Sequence, residues 1–450
     1  MSLGDAPATP DDIRRIAARE PVELAEAGLE RVSSARRVID AVLGSGEAVY
    51  GLTTRLGAGR DERVSDEEQH RFQRQVVANH SGGIGPALPE ADSRALIAAR
   101  LALLLNGGAG VRVEVVAALA GLLDTDAPAI PLYGSVGAAD LTHLAAVLAA
   151  LQQAGVRFAP GEAAALMSAN AHSIGTAALL AGRLDSVAAA ADHAVALSVD
   201  ALAAHGAGGA ADAFSAQVAA AGGGTGQARS AERIRSHLRA DAPTDVVQDP
   251  LAVRTAPQLH GALLDEVSLL EDVLARALAS RPENPLVDVD GGRTWSGGNF
   301  DSVAIVVRIE SLRILLAHVA AASERRIALL SDTLRPFRRA GDTRLPGLTL
   351  YAASDLLAEV RQLAAPVSLG ASPLSGVEDT AAFTPAALRL LRRSIDLTLQ
   401  VLAIEALHAS DLLRLADAPA PVALAAALEL PAGDAVAAAV AALGVPVVGF

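Results

Sequence analysis

Along most of the chain apolar residues recur every three to four positions, the period of a helix with one buried face. Leu141, Leu144, Ala145, Leu148 and Leu151 fall on one such face, and this spacing predicts a helix from about 140 to 153. The first helix is marked by its start. Thr9 is a candidate N-cap, Pro10 sits at the first helical position, and Asp11 and Asp12 complement the dipole. The same pattern predicts helices over 21–43, 64–82, 90–106 and 111–124, and over 162–204 with a break near 170–173. From 248 onward long helices alternate with polar loops, and the helix over 301–331 is long enough for a bundle core. The Ala- and Pro-rich stretch from 418 reads as a peripheral helical pair. Gly222-Gly-Gly-Thr-Gly226 resembles a phosphate loop only superficially, since no Lys follows, and reads as a turn. No repeat and no strand series is visible, so the expected fold class is all-α. The expected organisation is an N-terminal loop-and-helix domain over 1–200, a long-helix bundle over 201–417, and a tail over 418–450.

Composition sharpens this picture. Aromatics make up 2% of 450 residues while 51% are hydrophobic, which favours close-packed Ala-, Leu- and Val-rich helices. Helices apolar on all sides belong in a bundle core or an oligomer interface. A net charge of −14, from 37 basic and 51 acidic residues, argues against nucleic acid or an anionic membrane as partner. No Lys occurs, so a pyridoxal Schiff base, a lysine aldolase and a phosphate-binding Lys are all excluded. No Cys occurs either, which removes disulfides and thiolate chemistry and fits a reducing cytoplasm. The ten His show neither His-x-x-x-His nor His-Glu-x-x-His spacing, so no metal site is expected. Asp5, Asp11, Asp12 and Glu20 leave no apolar core for a signal peptide, and no apolar run reaches the ~20 residues of a membrane span.

The candidate chemistry centres on Tyr133-Gly-Ser-Val-Gly-Ala-Ala-Asp-Leu-Thr-His-Leu-Ala145, a low-bulk loop feeding a helix N-terminus. Five further stretches carry polar residues between helices. They are Val49-Tyr-Gly-Leu-Thr-Thr-Arg-Leu-Gly57, Gln248-Asp-Pro-Leu-Ala-Val-Arg254, Glu283-Asn-Pro-Leu-Val287, Ser296-Gly-Gly-Asn-Phe300 and Ser375-Gly-Val-Glu-Asp379. Taken singly, Tyr50 admits the reading of a packed Tyr, and Arg254 that of an Arg capping a helix or pairing with Asp249.

In this order, however, the stretches resemble the histidine and aromatic amino acid ammonia-lyase family. The family's loop reads Gly-Ser-Val-Gly-Ala-Ser-Gly-Asp-Leu, and its Ala-Ser-Gly cyclises to the electrophile methylidene-imidazolone. Its Tyr loop reads Val-Tyr-Gly-Ile-Asn-Thr-Gly-Phe-Gly, and its Arg loop Gln-Asp-Pro-Tyr-Ser-Leu-Arg. The resemblance implies a homotetramer with a long-helix core and active sites built from loops of three subunits. It makes Tyr50 the base for a β-proton and gives Arg254 and Asn284 the substrate carboxylate. It places His80, Gln248 and Phe300 in the pocket, aligns Asn170 with a residue touching the electrophile, and assigns Glu378 amine or proton handling. Ser323-Glu-Arg-Arg326 also matches and reads as a structural ion-pair feature.

Departures from the family pattern are equally informative. Ala138-Ala139-Asp140 stands where the electrophile forms, one residue shorter and without the Ser whose hydroxyl is lost. Neither methylidene-imidazolone nor any other cofactor is therefore expected. Arg55 and Leu56 replace a Gly-Phe pair and Leu251 replaces a Tyr, which predicts poor turnover of phenylalanine, tyrosine and histidine. His143 replaces a Pro. It is either half of an Asp140–His143 acid pair installed where the electrophile would be, or one of an ordinary capping pair.

The leading expectation is a cytoplasmic lyase acting on an amino acid or related carboxylate by Tyr-based proton abstraction and elimination or addition. The alternatives are a genuine ammonia-lyase whose cyclised group the sequence hides, and a silent ligand-binding homologue.

Overall fold

The computed structural model describes residues 1–239, 246–370 and 376–444. The fold is helical, as the apolar period predicts. Its longest helices are Ala171–Ala204, Val303–Ala340 and Thr384–Leu415. Strands are confined, among the described residues, to three two-stranded pairs. Ser2–Leu3 lies parallel to Glu23–Leu24, and Leu286–Asp288 antiparallel to Arg293–Trp295. Ile84–Ala87 lies antiparallel to Pro131–Tyr133 with a register shift between its ends. Such short pairs fall below the length at which a period of two can be read from sequence.

The first helix, Pro10–Ala17, starts where its cap residues place it. Thr9 Oγ1 accepts the Asp12 N–H at 3.2 Å while the Asp12 carboxylate accepts the Thr9 N–H at 2.9 Å, a reciprocal capping box. The second helix is later than expected, Glu26–Ser45, because Glu23–Leu24 pairs as a strand before it can start. The helix over 64–82 shortens to Gln69–His80, and that over 111–124 to Val113–Gly121. The helix expected to end near 331 continues through Pro336 to Ala340. The break near 170 is real: Glu162–Met167 ends and Ala171–Ala204 begins. By length and composition Glu162–Ala204 could cross a membrane, yet 83% of its most apolar window is buried, which marks a core helix. At Gly175 a Cβ would lie 2.6 Å from the Ala95 carbonyl, so two helix backbones meet there with no room for a side chain.

The compact units run differently from the expected division at 200 and 417. One compact unit gathers Met1–Leu180, Leu270–Ile309 and Pro366–Arg389, the other Ala181–Leu269, Glu310–Ala365 and Leu390–Phe450. Bundles assemble from segments far apart in sequence, so composition along the chain cannot mark such boundaries. In the second unit, Ile327, Ala353, Val401 and Ile404 form one apolar cluster, and Glu405 is the centre of a buried polar node. Glu405 accepts from Ser198 Oγ at 2.7 Å, Ser323 Oγ at 2.6 Å and both Nε and Nη2 of Arg326 at 2.6 and 2.8 Å. That gives Ser323-Glu-Arg-Arg326 its ion-pair role. The C-terminal stretch forms the expected pair, Val422–Ala427 and Ala432–Ala442, with Leu424, Ala427, Ala435 and Ala439 buried.

Candidate active site

The loop from Gly134 to Asp140 belongs to the first unit and is pinned from several directions. The Gly137 carbonyl accepts from Asn170 Nδ2 and from Ser302 Oγ, both at 3.1 Å, and Ser302 also bonds Thr384 Oγ1 at 2.7 Å. The Val136 carbonyl accepts the Phe383 N–H at 2.6 Å, and the Asp140 N–H reaches the Ala169 carbonyl at 2.8 Å. Gly137 has φ +92°, and a Cβ there would press on the Phe383 and Thr384 amides at 3.1 Å. Ala139 itself sits at φ +56°, a left-handed conformation that costs an L-residue about 1–2 kcal/mol and persists only when its surroundings impose it.

Asp140 and His143 do not form the pair that their spacing allows. Asp140 is fully buried and its carboxylate accepts the Ser173 N–H at 2.7 Å and Ser173 Oγ at 3.1 Å, at the start of the following long helix. His143 turns instead to Ser135, with Nδ1 to Oγ at 2.6 Å, and stacks on His172 with ring centroids 4.1 Å apart. Burial raises the Asp140 carboxyl to about 7, although the Ser173 donors oppose it. Burial also lowers the His143 imidazole to about 4, against the pull of the Leu132 backbone. Both groups thus favour their neutral forms, and neither lines the pocket described next.

These two shifts act on stability with opposite signs. For Asp140 the folded value lies above the unfolded one, so its contribution is full below about pH 4 and is lost as pH rises toward 7. For His143 the folded value lies below the unfolded one, so its contribution is full above about pH 6.5 and is lost as pH falls toward 4. Urea unfolding at several pH values should show Asp140→Asn gaining about 3 kcal/mol on the wild type between pH 4.5 and 7. His143→Gln should lose relative stability over the same interval. Parallel pH profiles for all three proteins would contradict the assignment.

The tips Ala138 and Ala139 face a pocket built entirely from the first unit. Tyr50, His80, Ser168, Asn284 and Glu378 supply its polar groups; Leu56, Leu141, Ala164, Met167 and Phe300 its apolar wall. Tyr50 rides on a tight turn in which the Val49 carbonyl accepts the N–H groups of Leu52, Thr53 and Thr54. Its Oη accepts the Gly57 N–H at 3.0 Å. Burial nevertheless pushes the phenol above its ordinary value, Glu378 adds to that, and Gly57 and Arg60 only partly offset it. The Gly57 N–H favours the phenolate, but burial outweighs it. Asn284 follows a buried Arg100–Glu283 ion pair at 3.0 Å, and its Oδ1 accepts the Gly297 N–H at 3.2 Å. His80 closes its helix with Nδ1 bonded to the Val76 carbonyl at 2.7 Å.

Sequence reasoning therefore names Tyr50, His80, Asn284, Phe300, Glu378, Ala138 and Ala139, and folding brings these seven together. Asn170 is instead spent on Gly137 and lines a different cavity. Gln248 and Arg254 belong to the second unit. There the Gln248 amide oxygen, turned toward Arg254, accepts from its Nε at 3.0 Å and its Nη2 at 2.6 Å. Asp249 does not take that role; it accepts the N–H groups of Gly209 and Ala210. Ser375 lies outside the described residues. Missed by the sequence reading were Leu141, Ala164 and Met167 of the wall, the polar Ser168, and Ser302 and Phe383 of the loop's supports. Ser302 follows Phe300 by two residues and could have been suspected; the wall residues carry no sequence signal beyond helical apolarity.

Comparisons with known proteins agree with this picture. A family model for aromatic amino acid lyases matches residues 8–156 and 146–442. The histidine ammonia-lyase of Anaeromyxobacter dehalogenans (strain 2CP-C) is 32% identical over 440 residues, covering 87% of this chain and 85% of that protein. That of Sorangium cellulosum (strain So ce56) is 33% identical over 459 residues, covering 91% and 88%. Among solved structures, the ergothioneine-degrading ergothionase from Treponema denticola, in complex with desmethyl-ergothioneine sulfonic acid, superposes with a TM-score of 0.90 at 22% identity, covering 99% of both chains. Histidine ammonia-lyase from Trypanosoma cruzi superposes with a TM-score of 0.83 at 22% identity, covering 98% and 93%. The chain belongs to the aromatic amino acid lyase family and is a lyase of the ammonia-lyase kind.

Proposed function

We propose that this lyase eliminates a tertiary amine from a quaternary-ammonium carboxylate, using Tyr50 as base and no methylidene-imidazolone. The observation that carries the reading is the tip of the loop. Forming the family's electrophile requires a central residue with a hydroxyl to lose, and Ala139 has none. The amide nitrogen that would have to close the ring belongs to Asp140 and is committed to the Ala169 carbonyl at 2.8 Å. The residues present do not fit the group.

A quaternary nitrogen removes the need for an electrophile. It has no lone pair with which to attack one, and it cannot shed its charge by losing a proton. When a base takes the β-proton, the C–H electrons become the new π bond and the C–N pair leaves with the nitrogen. A neutral tertiary amine and an α,β-unsaturated carboxylate result. The Tyr50 and Phe300 rings with Met167 and Glu378 suit a methylated cation, which is attracted to ring faces and to a carboxylate. That cation also reverses the bias against a Tyr50 phenolate, which burial and Glu378 create in the free chain. Asn284 and Arg254 take the carboxylate, Arg254 coming from a neighbouring copy in the homotetramer that the family resemblance implies. The likeness to ergothionase supports this choice of leaving group, since ergothioneine is the trimethylbetaine of 2-thiohistidine.

The test is to incubate the purified protein with the trimethylbetaines of histidine, 2-thiohistidine and phenylalanine and with the three parent amino acids. Trimethylamine and enoate absorbance should appear from a betaine, with little or no product from the parents. An intact mass short by two waters, together with ammonia released from histidine or phenylalanine, would overturn the reading.

A further inference from the structure

A second cavity lies in the same unit and is not part of the reaction pocket. It carries one charge of each sign. Arg276, in the last turn of the helix Ala256–Leu278, lines it and has no hydrogen-bond or ion-pair partner among the described residues. Asp301 lines it too, with one carboxylate oxygen accepting the Val303 N–H at 2.8 Å. No ion pair within 4 Å joins Arg276 to Asp301 among the described residues. Ile174, Val273 and Ile305 give the cavity an aliphatic side.

We propose that this cavity is a binding site for a zwitterionic amino acid with a small aliphatic side chain, and that its occupancy is coupled to the Gly134–Asp140 loop. A simple anion would meet Asp301 and a simple cation would meet Arg276, whereas a ligand carrying both charges satisfies both. Arg276 takes the carboxylate through its planar fork, Asp301 takes the ammonium group, and Val273 with Ile305 takes the side chain. The coupling follows from shared residues. Asn170 and Ser302 line this cavity and also donate to the Gly137 carbonyl, while Ala138 forms a backbone bridge with Asp301. A ligand that orders Asp301, Asn170 and Ser302 therefore orders the floor of the reaction pocket. The inference does not depend on which reaction that pocket performs.

Calorimetric titration of the full chain with L-valine tests it, alongside 3-methylbutanoate, which lacks the ammonium group, and 2-methylpropylamine, which lacks the carboxylate. Valine should bind wild type and Tyr50→Phe equally, and the two analogues at least ~10-fold more weakly. Arg276→Ala, a change at an exposed position, should weaken valine ~10-fold or more, and Asp301→Asn, which keeps the bond to Val303, by a smaller factor. Hydrogen exchange of the amides from 134 to 141 should slow on adding valine in wild type but not in Arg276→Ala. Binding unaffected by Arg276→Ala, binding abolished by Tyr50→Phe, or 3-methylbutanoate binding as tightly as valine would each overturn the assignment.

Discussion

Replacing Tyr50 by Phe should lower kcat about 10³-fold, roughly 4 kcal/mol of barrier, while leaving the fold and ligand affinity nearly unchanged. The phenol is half-buried on a turn that the Val49 carbonyl and the Thr53 side chain hold, and its ring fills the same space in the variant. The change removes the oxygen proposed to take the proton, together with the bond it accepts from Gly57. The pH profile carries the stronger signature. Burial and Glu378 hold the free-chain phenol above its ordinary value. The active base is the deprotonated form, so kcat/KM should still be climbing with pH at the alkaline end of the accessible range. The cation of a bound substrate favours the phenolate, so the corresponding limb in kcat should lie at lower pH. Glu378→Gln removes a negative charge that opposes ionisation and should move the free-enzyme limb toward acid. A Tyr50→Phe protein that keeps more than a tenth of wild-type kcat, or identical limbs in kcat and kcat/KM, would remove Tyr50 from the role of base.

Much of this architecture is legible in the chain because local chemistry and tertiary packing agree. The Thr9–Asp12 box starts its helix where the cap residues stand, and the apolar period over 141–153 becomes a helix with Leu144, Leu148 and Leu151 buried. Where sequence and structure part, a long-range partner decides. Glu23–Leu24 leaves the helical pattern because Ser2–Leu3 pairs with it. The compact units are assembled from segments that a linear reading never juxtaposes, so composition shifts do not mark them.

The site divides along the same line. Tyr50, Asn284, Phe300 and Glu378 are visible as polar or aromatic residues in loops between helices, where side-chain chemistry stands out against an Ala-rich background. Ala164 and Met167 are invisible, since a pocket wall and a bundle core use the same residues. Asp140 and His143 show the limit of spacing arguments. Three residues apart on one helix start they are able to meet, yet Ser173 and Ser135, from segments 33 and 8 residues away, offer the closer partners. Only the fold reveals that the first carboxylate anchors a helix start while the imidazole steadies the loop.

Glu405→Gln should destabilise the second unit by about 3–5 kcal/mol. Glu405 and Arg326 are both fully buried, and Arg326 makes two bonds to that carboxylate and one to the Ala252 carbonyl at 2.7 Å. A Gln keeps the volume but leaves a guanidinium charge buried with no counter-ion, and it cannot accept from Ser198, Ser323 and Arg326 together. The loss measures the stranded charge rather than the net worth of the pair, because desolvating both ions already costs most of what their attraction returns. Replacing both, Arg326→Met with Glu405→Leu, should therefore recover much of the lost stability. Urea and thermal unfolding of the single and double variants separate the two effects. A single variant within about 1 kcal/mol of wild type, or a double variant no better than the single, would show that the node is not what holds these helices in place.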